Sequence, residues 1–183
     1  VLILNLVAAA LQVQPDCAAN AVVRTGAPAS CTETAFDNAL TTAGSGGGTI
    51  TFNCGSGTHT ITFSTSKTVN LGNVTIDGGN SIILAGSSTV RQFFVGGGVT
   101  FTLKNITLRD GDSLVGGGAI EASTATVILD SVQILNNYSA VQGGAIYCYD
   151  GTVSASDTLF SGNESSTGGA IFNDGCNITV NGS

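Results

Sequence analysis

The stretch Thr126-Val-Ile-Leu-Asp-Ser-Val-Gln-Ile-Leu-Asn-Asn137 decides the fold, because the chain repeats its pattern. It aligns with Thr152-Val-Ser-Ala-Ser-Asp-Thr-Leu-Phe-Ser-Gly-Asn163, with Thr100-Phe-Thr-Leu-Lys-Asn-Ile-Thr-Leu-Arg-Asp-Gly111 and with Thr68-Val-Asn-Leu-Gly-Asn-Val-Thr-Ile-Asp-Gly-Gly79. A further copy begins at Thr179-Val180. Apolar residues fall one, three, six and eight places after the leading Thr. Each pair alternates as a strand does, but the step between the pairs breaks the alternation. That pattern reads as two short strands with a bend between them. Gly-Gly-Ala-Ile stands between the copies, at 117–120, 143–146 and 168–171, and supplies a third strand. A coil of about 26 residues with three strands and glycine corners is one rung of a parallel β-helix.

In such a coil like positions stack. The alignment places Val69, Phe101, Val127 and Val153 in one inward column, and Ile76, Leu108, Ile134 and Phe160 in another. Asn137 and Asn163 meet at a corner, where Asn tolerates left-handed backbone. A β-sandwich shares this composition but does not need a sustained period. Upstream, Ser30-Cys-Thr-Glu33 has capping-box spacing, with Thr32 a competing N-cap. Ala35, Phe36, Ala39, Leu40 and Ala43 follow at helical spacing, so a helix is predicted over 32–43, stopped by Gly44. Thr49-Ile-Thr-Phe-Asn-Cys54 then alternates as a strand.

The chain has 183 residues, enough to bury a core, and 42% of them are hydrophobic. Only 9% are charged and the net charge is −7, with five Lys and Arg in all. So few cations cannot neutralise a run of phosphates, which argues against nucleic-acid binding. An anionic membrane surface repels such a chain. Eleven mostly apolar residues, Val1–Leu11, are too few for a membrane span. They lack an initiator Met and a basic start, and are read as part of the mature protein rather than as a signal peptide. So apolar a segment is expected to bury itself on its own domain or on a neighbouring chain.

Five Cys are present: Cys17, Cys31, Cys54, Cys148 and Cys176. With no Cys-x-x-Cys and a single His, no structural zinc site is expected. Low charge and many Ser and Thr suit a secreted, extracellular chain, where disulfides persist. Cys31–Cys54 is the favoured bridge, closing a loop of about 24 residues. Free buried Cys is the other reading. An odd count leaves one thiol unpaired or bonded between chains.

Gly-Gly-Ala-Ile together with Phe160-Ser-Gly-Asn163, a Phe-x-x-Asn unit, resembles the repeats of polymorphic outer membrane proteins. More broadly the chain is similar to right-handed β-helix proteins of the pectin-lyase-like superfamily. The run from Cys31-Thr-Glu through Phe36, Ala39 and Leu40 to Gly47-Gly-Thr-Ile-Thr-Phe-Asn-Cys54 resembles the start of secreted repeat proteins of that superfamily, in which a capping helix precedes the first rung. The resemblance spans roughly 30–183. It implies an all-β fold, a right-handed parallel β-helix with a short N-terminal capping α-helix. The expected division is an apolar extension at 1–20, a cap at 21–48 and rungs over 49–183. For function the resemblance implies a surface or adhesive role, or polysaccharide cleavage.

The cleavage branch is similar across members in carrying an Asp-Asp pair and a His-Gly, which activate water and protonate the leaving oxygen. This chain has neither. Its one His, His59, is read as structural. Arg109-Asp-Gly-Asp112 is the one cluster that could imitate a calcium-dependent lyase, and two carboxylates make too small a cage. No catalytic residue, metal site or cofactor is therefore expected. Six Asn-x-Ser/Thr triplets, at Asn73, Asn105, Asn137, Asn163, Asn177 and Asn181, are candidate glycosylation sites.

The leading expectation is a non-enzymatic extracellular structural protein that assembles end to end into a filament or surface layer. The helix already caps the coil, and the last copy ends inside a rung, leaving an open ladder edge. An apolar strand from the next subunit, led by Leu2, Ile3, Leu4, Leu6 and Val7, would fill it. The alternative is a monomeric adhesin or glycan-binding module, whose mark would be exposed aromatics among Tyr138, Tyr147 and Tyr149. A polysaccharide lyase or hydrolase ranks third.

Overall fold

The structure is a computed structural model, and it describes residues 19–24 and 26–183. The expectations placed on Leu2, Ile3, Leu4, Leu6, Val7 and Cys17 lie outside the described residues.

The chain winds into a parallel β-solenoid of about six turns. Its longest sheet stacks Ala21–Val23, Gly48–Phe52, Val74–Ala85, Thr100–Arg109, Thr126–Leu135, Thr152–Ser156 and Asn177–Asn181. A second sheet stacks Lys67–Val69, Phe93–Val95, Ile120–Ser123, Ile146–Tyr149 and Ile171–Asp174. A short third sheet holds Asp112–Ser113, Tyr138–Gln142 and Glu164–Thr167. Ala21–Val23 pairs with Gly48–Phe52, so the cap and the rungs share one sheet. The helix, α1, runs Glu33–Gly44 and buries Phe36, Ala39 and Ala43. Thr32 is its N-cap, accepting a bond from the Ala35 amide.

The broken alternation has a backbone cause. Asn105, Ser131 and Asp157, each five places after the leading Thr, have left-handed φ of 48°, 57° and 49°. One such residue turns the strand and restores an apolar residue to the inside at the next step. Asp110, Asn136 and Gly162 form the next corner in the same way. The left-handed Asn is therefore Asn136. Asn137 has ordinary φ and turns its side chain inward, as described below.

The inward columns run Val74–Phe101–Val127–Val153 and Leu84–Leu108–Ile134–Phe160. This corrects the register expected for the Thr68 copy. Val69 belongs to the second sheet, opposite Val95, and Ile76 stands opposite Leu103. The reason is the Asp77–Asn80 turn, which inserts residues between the two halves of that strand: Asp77 still faces Lys104, but Ile82 faces Ile106. Phe36, Phe63, Phe93 and Phe101 continue the core from α1 into the coil, with neighbouring ring centroids 5.0, 5.9 and 4.9 Å apart. Each fully buried Val, Leu, Ile or Phe contributes roughly 1.5–3 kcal/mol relative to exposure.

Candidate functional site

The residues singled out for chemistry do not converge. His59 Nε2 lies 2.9 Å from the Cys31 carbonyl, beside the first turn. Asp110 faces its neighbour Arg109 at 3.3 Å. Among the described residues no group of three or more His, Cys, Asp or Glu is placed to hold a metal ion. A groove of about 380 Å³ lies between α1 and the turn at 65–74 and is lined by Leu40, Val69 and Leu71. Its charged groups are consumed in pairing. Lys67, 5% exposed, binds Glu33 at 2.6 Å and Asp37 at 2.8 Å, with the Phe63 ring 4.9 Å away. Burial alone would raise the pKa of Glu33. The bonds it accepts from Lys67 and Ser64 overcome this and hold it down at about 2. Glu33 thus clasps α1 to the coil instead of closing a capping box.

The Gly-Gly-Ala-Ile corner is a backbone device. Its first glycine, Gly117, Gly143 or Gly168, has φ of 62°, 59° or 68°. Its second packs backbone on backbone: a Cβ on Gly118 would meet the carbonyls of Gly144 and Tyr138, and one on Gly144 the backbone of Gly169 and Glu164. Arg91 braces the first of these corners by donating to the Gly116 and Gly117 carbonyls and to Ser113 Oγ, while pairing with Glu121. Its burial lowers its pKa and Glu121 pulls it back up.

Disulfides join Cys31 to Cys54 and Cys148 to Cys176, with Cα–Cα distances of 5.7 and 6.1 Å. The second was not read from sequence. Its signal was the separation of 28, close to one rung, which brings the two residues onto neighbouring turns.

The candidate glycosylation sites divide. Asn137 is 1% exposed. Its Nδ2 donates to the Leu135 carbonyl and to Asn163 Oδ1, and its Oδ1 accepts from the Gly111 amide. That amide nitrogen is sealed in the coil, so Asn137 is withdrawn as an acceptor. Asn163 Nδ2 donates to the Ile134 carbonyl, and Asn105 Nδ2 to Asp77. Asn73, Asn177 and Asn181 are exposed.

The aromatics expected to mark a binding face form no single stripe. Tyr147 and Phe172 stack on neighbouring rungs, centroids 5.8 Å apart, with the Tyr147 hydroxyl 3.3 Å from Asp174. Burial and then Asp174 raise the pKa of Tyr147. Tyr138 and Tyr149 are half exposed on different sheets.

Two turns of this coil match a known repeat. The model of the Chlamydia polymorphic membrane protein (Chlamydia_PMP) repeat matches residues 131–149 and 157–174. Each match takes in the second half of the longest-sheet segment, the Asn corner, the third sheet and the Gly-Gly-Ala-Ile turn into the second sheet. The similarity thus covers about a fifth of the chain, in two segments that fall on successive rungs. No curated protein and no solved structure matches the chain. No helix among the described residues is long and apolar enough to cross a membrane.

Proposed function

We propose that this β-solenoid is a non-enzymatic, surface-exposed module that works by contact with other molecules, in the manner the polymorphic membrane protein repeat implies. The observation that carries this reading is the repeat match itself, falling on two successive rungs. The dispersal of His59, Asp77, Asp110 and Asp112 supports its non-enzymatic half. Labelling of intact source cells with an impermeant amine reagent or an antibody is the test. The chain is expected to react without permeabilisation, and reaction only after lysis overturns the proposal. Incubation with a polysaccharide panel is expected to release no reducing ends.

End-to-end assembly through Val1–Leu11 remains the finer proposal, supported by the apolar sequence of that segment. Negative-stain images of native material are expected to show filaments that Leu4→Asp abolishes, and monomers at all concentrations refute it. Glycosylation is proposed at the exposed Asn73, Asn177 and Asn181, to be read as a mass loss on glycosidase treatment.

A further inference from the structure

The third sheet carries an exposed apolar cluster. Ser113 and Ser139 point inward, 7% and 0% exposed. Their neighbours therefore point out. Tyr138 stands opposite Asp112, Ser139 opposite Ser113 and Gly116 opposite Gln142, so Leu114 and Val115 lie beside Ala140 and Val141. Leu114 is 83% exposed, Val115 65%, Val141 46% and Tyr138 45%. The coil does not need these side chains, because its core is filled from the other face. Asp112 and Glu164 flank Tyr138 on the rungs before and after it. No Lys or Arg occurs in 112–116, 138–142 or 164–167. Arg91, beneath Ser113, is spent on the Gly116 and Gly117 carbonyls and on Glu121.

An exposed apolar cluster rimmed by charge of one sign marks a protein contact. We propose that Leu114, Val115, Tyr138 and Val141 form a docking face for a cationic amphipathic polypeptide segment, one that sets apolar side chains beside Lys or Arg. This rests on the surface-exposed reading above and names the kind of partner. Charge complementarity selects the occupant. A second copy of this chain would bring Asp112 and Glu164 against like charges on a molecule of net charge −7. An anionic lipid surface is repelled for the same reason. The cluster is three aliphatic residues to one aromatic, which leaves a single ring face on which a sugar could stack. Docked apolar side chains gain area burial, and the flanking cations meet Asp112 and Glu164 at the rim, where they steer association.

The test uses the full chain and a short synthetic peptide of alternating Leu and Lys, read by fluorescence anisotropy. Two analogues carry Glu for Lys or Ser for Leu. The Leu/Lys peptide is expected to bind at least about ten-fold more tightly than either analogue. The double substitution Leu114→Ser with Val141→Ser is expected to weaken it about ten-fold. Both side chains are exposed, so the fold is expected to keep its circular dichroism. Leu159→Ser, on the longest sheet and 52% exposed, is expected to leave binding unchanged. Equal binding by the double variant, or by the Glu analogue, overturns the proposal. So does a glycan-array signal lost in Tyr138→Ala with no peptide binding. Failure of intact-cell labelling removes the surface reading, whereas successful labelling with no peptide preference removes this inference alone.

Discussion

Gly144→Ala, compared with Gly98→Ala and Gly44→Ala, separates three reasons for a glycine in this coil. Gly144 has no positive φ, but its added methyl would meet the carbonyl of Gly169 and the backbone of Glu164. Neither neighbour is a flexible side chain, so the two rungs must part. Overpacking of this kind costs about 1–3 kcal/mol. The ladder bonds beside it, Ala145 and Ile146 amides to the Ala170 carbonyl at 2.9 Å, weaken by about 1 kcal/mol each. The expected loss is therefore about 3–5 kcal/mol, a large part of a domain's stability. Gly98 has φ of 74° and open space around it, so only backbone strain of about 1–2 kcal/mol applies. Gly44 ends α1 with no positive φ and nothing near its Cβ, and Ala there is expected to stabilise by about 0.4–1 kcal/mol. Urea unfolding read by far-UV circular dichroism gives the three midpoints. Because rungs couple to neighbours only, the Gly144 loss is expected to appear as an early transition of the C-terminal turns. Equal losses in Gly144→Ala and Gly98→Ala, or a loss in Gly44→Ala, would refute the close-approach argument.

Glu33 supplies a pH dependence. Its folded pKa of about 2 lies below the ordinary 4.5, so its contribution is complete above the unfolded value and lost as pH falls from about 4.5 toward 2. With the side chain 22% exposed, the shift converts after screening to about 1–2 kcal/mol. Glu33→Gln should lower the urea midpoint at neutral pH and flatten its acid dependence. Asn137→Ala leaves the Gly111 amide without a partner inside the coil and leaves the Leu135 carbonyl with the Asp110 amide alone. It is expected to cost about 2–3 kcal/mol by the same measurement, with Asn163→Ala costing less because that residue is partly solvated. Cys148→Ser is expected to cost roughly 3–4 kcal/mol, and dithiothreitol should bring the unaltered chain down by at least as much, since it also opens Cys31–Cys54.

The coil was legible because its inward positions obey one rule in the rungs at 100–109 and 126–135. Val127, Leu129, Val132 and Ile134 repeat the pattern of Phe101, Leu103, Ile106 and Leu108, and nothing but stacking demands it. The rung at 74–85 was misread because Asp77-Gly-Gly-Asn80 lengthens the bend, and the Thr68-Val69 pair, which repeats that of Thr126-Val127 and Thr152-Val153, offered a false alignment. Asn137 was mistaken for a surface residue because the sugar-acceptor triplet and the internal Asn ladder use the same letters. The partner of Lys67 was hidden too. Glu33 and Lys67 are 34 residues apart and meet only when α1 lies on the open end of the coil.

The residues that carry the family similarity are those that build the rung. In Gly-Gly-Ala-Ile the glycines turn and close the backbone, while Ala145 and Ile146 are fully buried. In Phe160-Ser-Gly-Asn163 the Phe joins the column of Ile134, and the Asn holds the Ile134 carbonyl and accepts from the Asn137 amide. None of these groups reaches out to a partner. Outward positions on the same rungs change from turn to turn: Asp112, Tyr138 and Glu164 in one row, Glu121, Tyr147 and Phe172 in another, Lys104, Asp130 and Ser156 in a third. A β-solenoid therefore separates its two tasks by the period of the strand. Inward residues are fixed by the need to stack, and outward ones are free to differ at no cost to the coil. What this molecule binds must be written in the second set. There, Leu114, Val115, Tyr138 and Val141 gather apolar surface that the fold gains nothing by exposing.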